Sequence, residues 1–215
     1  MHAITFYLDF ISPYAYLAFE ALPQTLQGHS VQVTYQPVLF AGLLQHHGQL
    51  GPAEIPGKRE WTYRQVLWQA QRAGILCQMP AQHPFNPLSL LRLAVATDPQ
   101  GLPNRHVCER IFHHVWRGGL AADDPARLQA LQAQLAPARS PAHDSVKSQL
   151  RASTEDALAR GVFGVPTLAL GKRLFWGYDA LPMLRDALDQ HAWFDGPDWE
   201  QAALTGSGIT RKKGP

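Results

Sequence analysis

The chain contains no Cys-x-x-Cys and only two cysteines among 215 residues, Cys77 and Cys108. Disulfide exchange within one motif is thereby excluded. Both cysteines fall in stretches predicted to be mainly helical and read as buried free thiols, since a structural disulfide does not suit a reducing compartment. Charge is also scarce: 17% of residues are Asp, Glu, Lys or Arg, the net charge is +2, and the basic residues are scattered. That pattern gives neither a nucleic-acid footprint nor a polybasic membrane patch. The one basic cluster, Arg211-Lys212-Lys213, lies in a Gly-rich tail predicted to fray. No apolar run approaches the roughly 20 residues that span a bilayer. A charged segment followed by an apolar one, the mark of a secretion signal, is missing at the N-terminus. The expectation is therefore a cytoplasmic protein with no membrane or nucleic-acid partner. Metal binding is not expected either. In His46-His47 and His113-His114 adjacent helical positions point about 100° apart and cannot both face one ion. No His-Glu-x-x-His or matching carboxylate spacing accompanies them, so solvent-facing or capping roles are the better reading.

What is present is a strand-like run, Ile4-Thr5-Phe6-Tyr7-Leu8, followed by Ser12-Pro13-Tyr14-Ala15 and a helical pattern to Leu26. Ser is a favoured N-cap and Pro suits the first helical turn. The pair predicts a hydroxyl at the positive end of a helix dipole, beside free N–H groups, where an anion is stabilised. Residues 31–38 alternate as a second strand. A long middle without convincing strands follows, with helical patterns over 58–73, 87–97, 103–116, 125–135 and 145–160, punctuated by Pro and Gly. Then come strands at 167–170 and 173–176, joined by Gly171-Lys172, and a helix over about 181–191. At this length one domain with an insertion is the default.

The order β-α-β, helical block, β-β-α matches the thioredoxin layout. The expected fold class is α/β: a thioredoxin-like fold with a large all-helical insertion. Residues 1–40 and 161–195 are assigned to the thioredoxin-like domain, 41–160 to the helical insertion, and 196–215 to a flexible C-terminal extension. Thioredoxin-like enzymes place the first Cys of their motif where Ser12 stands and the second where Ala15 stands. Val162-Phe163-Gly164-Val165-Pro166-Thr167 followed by a short apolar strand is where that fold carries a cis-proline. Cis geometry at Pro166 is an implication of the resemblance alone.

Three segments, Phe6-Tyr7-Leu8-Asp9-Phe10-Ile11-Ser12-Pro13-Tyr14-Ala15-Tyr16-Leu17, Phe163-Gly164-Val165-Pro166-Thr167 and Phe175-Trp176-Gly177-Tyr178-Asp179, carry a more specific likeness. With the helical block between them, the chain resembles the 2-hydroxychromene-2-carboxylate isomerases and the related kappa-class glutathione transferases over residues 3–190. The resemblance implies glutathione as cofactor, an aromatic small-molecule substrate, a role in aromatic catabolism and a homodimer. Ser12 matches the serine that hydrogen-bonds the glutathione sulfur and keeps it anionic. Val165, before Pro166, matches the residue whose backbone pairs with the cysteinyl part like an added strand. Trp176, Gly177, Tyr178 and Asp179 match the segment that receives the γ-glutamyl end. Asp179 there pairs with the ammonium, or caps the last helix, or does both.

The substrate side departs from the family. Leu44 stands where relatives usually carry Lys, and Glu54 where Asn is common. Lys58 matches a family lysine, yet reads equally well as a solvated helix residue. Gln65 and Trp68 replace the acid and base found on that helix. Trp61, Trp68 and Phe85 are candidates to wall an aromatic ring, with core packing the commoner role for each. Three functions stay open: a glutathione-dependent isomerase working by reversible thiolate addition, a kappa-like transferase or peroxidase acting on other electrophiles, and a non-catalytic thioredoxin-fold binding protein.

Overall fold

A computed structural model describes residues 1–206 and 208; the Arg211-Lys212-Lys213 cluster lies outside them. Four strands form one mixed sheet in the order β2-β1-β3-β4. β1 (His2–Leu8) runs parallel to β2 (Val31–Pro37), with Phe6 opposite Tyr35. It runs antiparallel to β3 (Thr167–Leu170), with Phe6 opposite Leu168. β4 (Arg173–Trp176) closes the other edge through a hairpin at Gly171, whose φ of 61° a glycine adopts without strain. The parallel β1–β2 pair requires a crossover, supplied by α1 (Pro13–Thr25). This is the predicted thioredoxin-like fold, with helices inserted between β2 and β3.

The inserted helices are α2 (Phe40–His47), α3 (Pro56–Arg72), α4 (Leu88–Ala96), α5 (Arg105–Trp116), α6 (Pro125–Leu135) and α7 (Asp144–Ala159). Three of them start on side chains that accept a first-turn N–H: Asn104 from Val107, Asp124 from Arg127 and His143 from Ser145. α8 (Leu181–Leu188) follows the sheet, and α9 (Pro197–Leu204) lies beyond it, within the stretch predicted as an extension. Trp199 of α9 packs against the core, its ring tilted against Phe194 with centres 5.4 Å apart.

One hydrophobic core runs through sheet and insertion alike. α1 is buried along most of its length, and its Tyr16 and Phe19 meet Phe112 and Trp116 of α5. Phe10 packs edge-on to Phe112 with ring centres 4.9 Å apart. A smaller cluster, including Tyr7, Leu43, Val162 and Val165, covers the opposite face of the sheet. No described helix is long and apolar enough to cross a membrane.

Two sequence expectations change here. Cys77 lies in an irregular segment after α3, half-buried, whereas Cys108 sits inside α5 and is buried as predicted. The run after Arg72 cannot stay helical because Gly74, with φ of 65°, ends it. Both thiols are free, and burial pushes each up, Cys77 to about 11. Trp61 and Trp68 are 65% and 54% exposed, so core packing is not their role; of the 17 residues of α3 only Val66 and Ala70 are buried. Phe85 is in the core.

Candidate active site

Ser12 follows β1 by a tight connection and caps α1, its Oγ accepting from the Ala15 N–H at 3.2 Å. The same hydroxyl donates to the Val165 carbonyl at 3.2 Å, across 153 positions of sequence. Pro13 carries no N–H, so no donor is wasted at the first helical position. Ser12 is 6% exposed, and Val165 is buried beside it. The Val165–Pro166 bond is cis. The sheet ladder begins only at Thr167, which leaves the Val165 backbone N–H outside it.

The connection that carries Ser12 is held from both sides. Asp9 is fully buried and, among the described residues, has no cation against it; its Oδ1 accepts from Ile11 N–H at 3.2 Å and its Oδ2 from Phe40 N–H at 2.9 Å. Ser12 N–H donates to the Asp9 carbonyl at 3.1 Å. Burial raises the Asp9 carboxyl to about 7, and the hydrogen bonds from the Phe40, Ile11 and Phe10 backbone only partly offset it. From the insertion, Trp116 Nε1–H donates to the Phe10 carbonyl at 3.0 Å, and His83 Nε2 lies 2.8 Å from the Ile11 carbonyl.

At the far end of β4, Gly177 has φ of 100° and its N–H donates to the Pro166 carbonyl at 2.9 Å. That φ favours glycine, and a Cβ on Gly177 would in addition force the exposed Asp179 carboxylate to turn away. Asp179 lies in a 3-10 turn with Tyr178, before α8. It caps nothing: α8 starts without a side-chain cap, and among the described residues the exposed Asp179 carboxylate has no hydrogen bond or ion pair. Asp179 is close enough to Tyr14 that, after burial, its charge is the next cause raising the Tyr14 phenol. Tyr14 in turn donates to Gln65 Oε1 at 2.6 Å. Trp176 is exposed and packs on Phe163 with ring centres 4.9 Å apart. A Cβ on Gly164 would lie 2.6 Å from its indole nitrogen. A groove of about 1110 Å³ between α1, the end of α3 and α8 reaches Tyr178 and Asp179, but Ser12 and Val165 do not wall it.

The remaining candidates sit apart from this cluster. Glu54 Oε2 accepts from Gly51 N–H at 2.5 Å, so its carboxylate serves its own 3-10 turn. Leu44, half-buried on α2, packs over the same Gly51. Lys58 is exposed in the first turn of α3. Phe85 lies under His83, ring centres 6.0 Å apart. Among the described residues no cluster of three or more His, Cys, Asp or Glu is placed to hold a metal; His113 pairs with Glu20, and His114 Nε2 lies 2.9 Å from the Ala122 carbonyl. Sequence reasoning quoted Asp9 without giving it a role and passed over His83 altogether. An acid in an otherwise apolar run, and a histidine before Pro in His83-Pro84-Phe85, were the available signals.

A serine-capped helix facing a cis-proline across a four-stranded sheet, with helices inserted between β2 and β3, defines a class. The chain belongs to the DSBA-like thioredoxin domain family, whose model matches residues 3–189. Within it, the chain is 29% identical to the 2-hydroxychromene-2-carboxylate isomerase of Pseudomonas putida over 192 residues, covering 86% of this chain and 93% of that protein. It is 28% identical to glutathione S-transferase kappa 2 of Caenorhabditis elegans over 219 residues, 90% of this chain and 94% of that one. A solved 2-hydroxychromene-2-carboxylate isomerase structure superposes with a TM-score of 0.76 at 24% identity, over 95% of this chain and all of the other.

Proposed function

We propose that this chain is a glutathione-dependent cis–trans isomerase acting on 2-hydroxychromene-2-carboxylate-like aromatic acids. The observation that carries the reading is the Ser12 hydroxyl, held between the α1 N-terminus and the Val165 carbonyl in a site without cysteine. A hydroxyl at a helix N-terminus fits a thiolate, a backbone N–H outside the ladder fits an extended peptide, and the unpaired Asp179 carboxylate fits an ammonium. These are the three recognition elements of glutathione. Bound there, glutathione supplies a thiolate able to add reversibly to an electron-poor double bond and so allow its rotation. Ser12 turns its hydrogen from the Val165 carbonyl to the sulfur and lowers the thiol pKa. Val165 and Asp179 fix the peptide so that the sulfur meets the substrate in one orientation. The cytoplasmic setting and the homodimer go with this reading, and two free cysteines suit a reducing compartment.

A kappa-like glutathione transferase or peroxidase is the second reading, and the α2–α3 segment favours it. Leu44 is apolar and Glu54 is engaged in its own turn, which leaves the exposed Lys58 to meet a substrate carboxylate there. The test is calorimetric titration with reduced glutathione, followed by the pH dependence of thiolate absorbance in the complex. Saturable binding is expected, with Ser12→Ala raising the bound thiol pKa by about one to two units, the worth of one charge-assisted hydrogen bond. Absence of binding at millimolar glutathione would sink both glutathione readings. Turnover of unsaturated aromatic pyruvates, set against conjugation of other electrophiles, then separates the two.

A further inference from the structure

The two carbonyls that precede Ser12 are each held by a donor from the insertion, one on α5 and one on the connection between α3 and α4. Phe10 is held by Trp116 Nε1–H at 3.0 Å and Ile11 by His83 Nε2 at 2.8 Å. A carbonyl only accepts, so Nε2 must carry the hydrogen. In the neutral ring Nδ1 is then an acceptor, and it lies 2.8 Å from the Tyr63 hydroxyl of α3, which is also 2.8 Å from the His83 carbonyl. The ring also packs against Trp116 at 5.6 Å and edge-on to Phe85 at 6.0 Å, which restricts its rotation. Burial favours this neutral form.

We propose that His83 is a positioning residue: oriented by Tyr63, it clamps the Ile11 carbonyl and so fixes the place of the Ser12 hydroxyl at the start of α1. The clamp stabilises one arrangement of residues 9–12, in which the hydroxyl faces Val165. It ties that arrangement to α3, of whose 17 residues only Val66 and Ala70 are buried. A disturbance of α3 thus reaches Ser12 through Tyr63 and His83, a route separate from the Tyr14–Gln65 bond that joins α1 to α3 directly.

The experiment uses two readouts. The first, hydrogen exchange of the Ile11 to Ala15 amides in the free protein, does not depend on any ligand. The second, the thiol pKa of bound glutathione, rests on the proposed function. His83→Ala is expected to speed exchange at these amides roughly three- to tenfold, as the loss of one hydrogen bond implies, and to raise the thiol pKa. His83→Gln, which can return an N–H donor to the Ile11 carbonyl, is expected to recover part of both, and Tyr63→Phe to show a smaller change in the same direction. If His83→Ala only lowers the melting temperature, leaving these amides and the thiol pKa as in the unaltered protein, the clamp is overturned. Failure of the unaltered protein to bind glutathione would remove the proposed function, while the exchange readout still decides the role of His83.

Discussion

The end of the molecule where Ser12 meets Val165 and the stretch from α2 through α3 are built on opposite terms. Around Ser12 the acceptors of the 9–12 connection are matched to donors: Asp9 to two backbone N–H groups, Phe10 to Trp116, Ile11 to His83. Along α3 two residues are buried and two tryptophans face outward. Buried polar groups tolerate little change, because each unmatched one costs about 1–3 kcal/mol, whereas exposed side chains can be exchanged at almost no cost to stability. The difference teaches how one scaffold holds a connection fixed on every side while the outer face of α3 stays free to change at little cost to stability.

The comparison breaks most severely at Trp116, which is fully buried and serves both the core and the Ser12 connection. Trp116→Ala is expected to cost about 3–5 kcal/mol, read from urea unfolding. Next is pH. Asp9 titrates at about 7 when folded and near 4 when unfolded. Between those values the folded state holds a proton that the unfolded state has released. Asp9 therefore contributes a loss of stability as pH rises from 4 to 7, roughly 1.4 kcal/mol per pH unit, and none above. Unfolding midpoints at pH 5 and pH 8 check this, and Asp9→Asn should flatten the trend; parallel trends would show that Asp9 is not its source. Asp179→Ala, at an exposed carboxylate, is expected to weaken glutathione binding about two- to fivefold in calorimetry, with no loss of stability. Smallest of all, Trp61→Ala and Trp68→Ala should change stability by no more than about 0.5 kcal/mol. Their effect belongs in the range of electrophiles accepted, which a substrate panel would reveal; a large drop in melting temperature would mean that α3 is part of the core after all.

The same contrast governs what the sequence made legible. β1, α1, β3, β4 and α8 follow from period-2 and helical patterns bounded by Ser12-Pro13, Pro166 and Gly171, because capping and turn chemistry are local. α2 was not legible: it is eight residues long and follows Leu39, which offers no side-chain cap. Cys77 was misplaced because it lies between the helical patterns at 58–73 and 87–97, past Gly74, whose positive φ closes the end of α3. The tryptophans of α3 suggested a core, since nothing in their spacing tells which face of an amphipathic helix has a neighbour. Ser12 was readable from its own tetrapeptide, but its bond to Val165 and the grip of Asp9, His83 and Trp116 depend on contacts between distant segments. A lone histidine before Pro carries no periodic signal at all.

That Ser12 is completed by a residue 153 positions downstream also sets a schedule for synthesis. When the ribosome has released β1, α1 and every inserted helix, the serine still lacks its counterpart. β1 meanwhile has one open edge, later filled by β3. The contact between Ser12 and Val165 thus comes into existence only with the last quarter of the chain. A nascent or prematurely terminated product carries the opening motif in full and has nothing with which to use it.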